Sequence, residues 1–183
     1  MALPFIQPSI GRGSWSFELH GGVPKVDFPT GVPAAALTNV NGSTFALDGE
    51  FLKVDGDGNI TRPAGNSAGL TAQADARVCY PIKGLPGESD LQFGVGMPYI
   101  RQNDISFRTR LHSGNLAVPN PPTLGAYCTL AIDDVFIAGH TFAGRTILLP
   151  TTTAGRTIRA LCTEAPDADG WATFKLVSPF PYS

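Results

Sequence analysis

The chain has 183 residues, enough for one domain or two small ones whose core needs no covalent staples. Charged residues make up only 15%, the formal net charge is −2, and 21 glycines and 16 prolines are scattered along the whole length. That excludes charge-driven disorder and long or coiled helices, and it gives no electrostatic basis for holding a phosphate backbone.

Residues 1–8 carry two prolines and no periodicity, which predicts an extended arm. They lack a basic flank and a long apolar run, so no secretory leader is expected there. Ser14 to Leu19 alternates strictly and predicts a half-buried strand with Trp15, Phe17 and Leu19 on its inner face. A Gly/Pro-rich loop follows to residue 33. Asn41-Gly42, Asp48-Gly49 and the 55–59 stretch then punctuate short strands, which predicts an antiparallel meander.

Residues 63–77 hold the one stretch with the makings of a helical turn. Val78 to Ile82 and Leu91 to Val95 read as strands. From Ile105 to Leu111 the alternation is clean: Ile105, Phe107, Thr109 and Leu111 face one way, Ser106, Arg108 and Arg110 the other. Pro119, Pro121 and Pro122 make 112–124 a linker or a long surface loop.

Beyond it, Tyr127 to Ile132, a turn at Asp133-Asp134 and Val135 to Ala138 form a hairpin pattern. Ala143-Gly144-Arg145-Thr146-Ile147 recurs as Ala154-Gly155-Arg156-Thr157-Ile158, each copy opening a strand after a glycine turn. Asp167 to Gly170 is a tight turn, and Trp171 to Val177 is the closing strand, with Trp171 expected in the core. The expected fold is all-β: a small β-barrel or jelly-roll-like sandwich of short antiparallel strands with extended N- and C-terminal arms. It divides into a 1–12 arm, a 13–111 β-rich region, a 112–124 loop or linker, a 125–178 module and a 179–183 tail, or forms one compact domain.

Chemistry-bearing patterns are sparse. Asp55-Gly56-Asp57-Gly58-Asn59 opens like a calcium loop, but Ile60 and Asn66 stand where the helix-loop-helix site needs glycine and a bidentate glutamate. His20, His112 and His140 are isolated and read as loop or surface residues. No GxSxG elbow or phosphate loop occurs. No catalytic residue, metal or cofactor is therefore expected.

Cys79, Cys128 and Cys162 lie in apolar contexts with no CxxC pair, which predicts reduced, buried thiols of a protein made in a cytoplasm. No segment approaches the ~18 apolar residues of a membrane span. Nine of the 13 basic residues are arginines, a balance that fits a surface partly covered by partners, with codon usage as the other reading. Arg101, Arg108 and Arg110 are close in sequence. They read either as a face for an acidic partner strand or as a solvated face.

The segment from Gly125 to Pro179 resembles the terminal module of capsid cement or head-decoration proteins of tailed bacteriophages. The likeness rests on a strand ending near Leu148-Leu149-Pro150, a Thr/Gly-rich stretch, Arg156 to Leu161, the Asp169-Gly170 turn and the strand Trp171 to Val177. Phe45 to Val54, followed by Asp57 to Thr61, has a similar pattern.

The resemblance implies a non-enzymatic virion protein on the outer capsid surface. It would be a homotrimer that clamps neighbouring copies of the major capsid protein, with no nucleic-acid or membrane partner. The apolar, proline-rich arms fit such contacts, which places Leu3, Phe5, Ile6, Phe180 and Tyr182, with Arg108 and Arg110, at the expected interface. A carbohydrate- or receptor-binding β-sandwich of a phage fibre or tail is the second reading, and a small β-barrel hydrolase the third.

Overall fold

The computed structural model describes residues 16–22, 25–27, 48–54, 60–61, 76–78, 99–100, 103–133, 136–137, 140–141 and 145–183. The Asn41-Gly42 turn, the 55–59 turn, the strand at 91–95 and most of 63–77 lie outside them, as do Trp15 and Cys79.

The protein is all-β. Its strands are β1 (Phe17–Gly21), β2 (Val26–Asp27), β3 (Phe51–Val54), β4 (Ile60–Thr61), β5 (Arg77–Val78), β6 (Tyr99–Ile100), β7 (Ser106–Thr109), β8 (Tyr127–Asp133), β9 (Phe136–Ile137), β10 (His140–Thr141), β11 (Arg145–Pro150), β12 (Thr157–Glu164) and β13 (Ala172–Pro181). Six of them form an antiparallel sheet in the order β1-β7-β13-β12-β8-β11. Among the described residues this sheet stays open and no closed barrel forms. Shorter pairings join β2 to β6, β9 to β10, and β3 to both β4 and β5.

Alternation decides which side chains enter the core. In β7 and its flanks Ile105, Phe107, Thr109 and Leu111 are buried, while Ser106, Arg108 and Arg110 are half-buried on the other face. Phe107 lies opposite Leu19 of β1 and Phe174 of β13. Its ring centroid is 5.6 Å from that of Phe17 and 6.0 Å from that of Phe174. These rings continue into Leu176, Cys162, Ala160, Cys128, Leu130 and Leu148, and Phe51, Ala76, Val78 and Ile100 join from the short pairings.

Two glycines are dictated by close approach. Gly49 sits at φ +83°, where a Cβ would come within 2.8 Å of the Phe17 Cβ. Gly170, at φ +80°, closes the Asp167 turn against Asn115.

The proline-rich stretch is an ordered loop. Its start, His112, bridges to Leu148 of β11, and the Leu148 N–H donates to the Leu111 carbonyl at 2.9 Å. This and the Thr146 N–H bond to Glu50 cover the β11 edge. A 3-10 turn follows at Ser113–Asn115. Residues before and after the loop share one sheet, since β7 pairs with β13. The 179–183 stretch is extended backbone laid on its own chain: Phe180 pairs with Ile158 and Pro181 with Thr157, and Tyr182 exchanges backbone hydrogen bonds of 2.8 Å with Gly155 and Arg156.

Cys128 and Cys162 are buried free thiols. Burial pushes the Cys162 thiol up to about 11 and the Cys128 thiol higher still. Since the thiolate is the reactive form, both should resist a thiol reagent in the native protein at mildly alkaline pH. Titration of the denatured, unreduced chain should count three free thiols. A count of one would reveal a bridge.

Candidate functional site

Two surface features stand out on the six-stranded sheet. The first is on the face opposite the core, where β1, β7 and β13 meet. Arg108 is committed within the chain: Nη1 donates to Glu18 Oε2 at 3.4 Å and Nη2 to Asp167 Oδ2 at 2.8 Å. Its guanidinium lies 5.4 Å from the Trp171 ring centroid, and that of Arg110 lies 4.9 Å away.

The sequence expectation of a core Trp171 is corrected here. Trp171 is half-buried beside two arginines, because its register mates along the strand are Thr173 and Lys175, while Ala172, Phe174 and Leu176 fill the core.

The backbone around this platform is fixed. Asp167 Oδ1 accepts the N–H groups of Asp169 and Trp171, both at 2.9 Å. Its slight burial works upward, but those two N–H groups and Arg108 outweigh it and hold the carboxyl below its usual range. The Arg110 N–H donates to the Ser16 carbonyl at 3.1 Å, and the Arg110 carbonyl accepts from Asn115 Nδ2 at 2.7 Å. Burial lowers the Arg110 pKa, against the opposing pull of Asp169, Asp167 and Glu18. Arg110 Nε is shut from solvent without a hydrogen-bond partner, and no carboxylate of the described residues lies within ion-pair reach of its guanidinium.

His112 lies beneath the same corner. The loop position was expected, but its complete burial was not. Nδ1 accepts the Gly114 N–H at 3.1 Å, and Nε2 donates to the Gly170 carbonyl at 2.9 Å, which fixes the Nε2–H tautomer. Burial pushes its pKa down to about 4. On the far edge of this face Thr173 Oγ1 donates to Glu164 Oε2 at 2.5 Å, with His20 Nδ1 3.3 Å from the hydroxyl. Among the described residues no three His, Cys, Asp or Glu side chains group as metal ligands do, and no helix is long and apolar enough to cross a membrane.

The second feature is aromatic. Tyr127 of β8 meets Phe180 edge-on at 5.5 Å and Tyr182 at 6.3 Å, with Tyr127 40% and Phe180 37% exposed. Apart from these rings, the 112–124 loop exposes Val118 and Leu124. Tyr182 turns both its backbone groups toward β12, so alternation directs those of Pro181 to the outer edge, where proline has no N–H. An edge without that donor is a poor template for strand addition. What this corner presents to solvent is therefore its rings rather than a strand edge.

The expected interface residues thus fall into three groups. Phe180 and Tyr182 come together with Tyr127, a residue the sequence reading missed although its aromatic side chain opens a strand. Arg108 and Arg110 come together around Trp171. Leu3, Phe5 and Ile6 lie outside the described residues, as does Arg101. No family model, curated protein or solved structure matches the chain. What the geometry defines is an all-β protein with a ring cluster at one sheet corner and an arginine–tryptophan platform on the outer face.

Proposed function

We propose that the protein is a structural virion component, a capsid cement or decoration protein that binds the outer surface of a phage head and stabilises contacts between coat subunits as a homotrimer. The observation that carries this reading is the cluster of Tyr127, Phe180 and Tyr182 at the sheet corner, where the C-terminal arm holds aromatic surface in solvent. Exposed apolar surface of this kind marks a contact site, and Tyr and Phe are favoured at the centres of interfaces. The resemblance of residues 125–179 to head-decoration modules supports the same reading.

The test is a Phe180→Ala, Tyr182→Ala double variant, compared with the parent chain by thermal melt, sedimentation equilibrium and co-sedimentation with empty phage heads assembled from the coat protein of the same genome. The parent should sediment as a trimer and pellet with the heads. The variant should melt within a few degrees of the parent and lose one or both associations. A monomeric parent that ignores the heads, or a variant that assembles and attaches like the parent, would sink the reading.

The half-buried position of Trp171 beside two arginines favours a second reading, a saccharide- or receptor-binding domain of a phage fibre or tail.

A further inference from the structure

We propose that Arg110 and Trp171 form a binding site for an acidic saccharide, a sugar carrying one carboxylate and several hydroxyls. The inference depends on neither the trimer nor the coat-protein contact; it gives the second reading a ligand class.

The two arginines are unequal. Arg108 has carboxylates on both terminal nitrogens. Arg110, two residues along the same face, has no carboxylate of the described residues within ion-pair distance. Its main chain is held on both sides, its Nε is enclosed, and its guanidinium lies against an indole. The planar end of such a group matches a carboxylate through two parallel N–H···O bonds, and the fixed backbone lowers the ordering cost of binding.

The surroundings choose among anions. Asp167, Asp169 and Glu18 all act electrostatically on Arg110. That much negative charge disfavours a phosphate dianion or a polyanionic strand. One carboxylate is tolerated, and Asp169, exposed and free of any ion pair among the described residues, offers acceptors to ligand hydroxyls. A carboxylate beside hydroxyl donors is the chemistry of a uronic acid. A bare carboxylic acid leaves Asp169 unused, and a neutral sugar leaves Arg110 unused.

The probe is methyl glucuronide, with methyl glucoside and acetate as controls, added to the full-length protein. The readout is the indole N–H signal of Trp171 in a proton–nitrogen correlation spectrum, assigned through Trp171→Phe. Glucuronide should shift the signal saturably, and each control should bind about tenfold more weakly or worse. Arg110→Gln should abolish the glucuronide response. Arg110→Lys, which keeps the charge and loses the fork, should weaken it about tenfold and serves as the second variant if Gln disturbs folding. The proposal is overturned if glucuronide gives no saturable shift, if glucoside or acetate matches it, or if Arg110→Lys binds as tightly as the parent. Failure here leaves the head-binding result untouched, so the two readings fail separately.

Discussion

Replacing Glu50 by Gln should destabilise the protein by about 3–5 kcal/mol, because it breaks a buried ion pair from one side. Arg145 Nη1 donates to Glu50 Oε2 at 3.0 Å, with the two side chains 3% and 0% exposed. Glu50 Oε1 also accepts the Thr146 N–H at 3.1 Å, which ties the segment before β3 to the β11 edge. Such a pair adds little net stability over an apolar replacement, since both ions were desolvated to form it, but breaking it from one side takes the opposite charge away from an ion that stays in the interior.

The expected pattern is therefore asymmetric. Arg145→Met should cost a comparable amount near neutral pH, and less in acid, where the Glu50 carboxyl can take a proton. The double variant Glu50→Gln, Arg145→Met should recover much of the loss, because Gln still accepts from Thr146. Urea unfolding of the four proteins measures the coupling directly. Single variants that each cost under about 1 kcal/mol would show that water or other groups stand in for the missing charge.

That ion pair marks where sequence reading stops. Arg145 and Arg156 occupy the same place in two identical pentapeptides, and one is buried against Glu50 while the other is half-buried near the C-terminal arm. Local sequence cannot separate them, because the difference lies in a partner 95 residues away. β7 was legible because one face meets the core and the other solvent, so period two is written in its residues. In β11 the first four residues are buried on both faces, and only the preceding glycine turn located the strand.

Trp171 shows that a correct strand can carry an inverted face: Lys175 shares its parity and was the signal that the even-numbered residues point inward. For the candidate site, Arg108 and Arg110 were readable as one face. Trp171, Asp167 and Asp169 reached it through strand pairing that no spacing encodes. The Phe180–Tyr127 contact likewise exists because β12 lies between β8 and β13.

The second large effect is a loss of stability in mild acid, traced to His112. Its ring is neutral in the folded protein, with the Gly114 N–H on Nδ1 and the Gly170 carbonyl on Nε2–H, so both nitrogens are occupied. Protonation would set an N–H donor against the Gly114 donor and leave a buried charge shut from water, with the Phe174 ring 6.1 Å away. Burial outweighs the Gly170 bond and the Asp167 field and lowers the pKa from 6.5 to about 4.

The unfolded chain takes up the proton near 6.5 and the folded one only near 4, so between those values the unfolded state holds more protons. Stability from this residue is complete above the upper value and falls as the pH drops through the window. The full loss amounts to about 3 kcal/mol. Asp167 acts in the same direction, but below the usual carboxylate range, so its contribution sits at lower pH. Unfolding free energies from urea titrations between about pH 7 and about pH 4 should therefore decline for the parent chain and stay nearly level for His112→Gln. The variant should be less stable than the parent at the neutral end, since it loses the Gly170 contact, and the two curves should converge in acid. Parallel curves would mean that His112 protonates in place, and that the latch between the 112–124 loop and the Asp167 turn is looser than its hydrogen bonds imply.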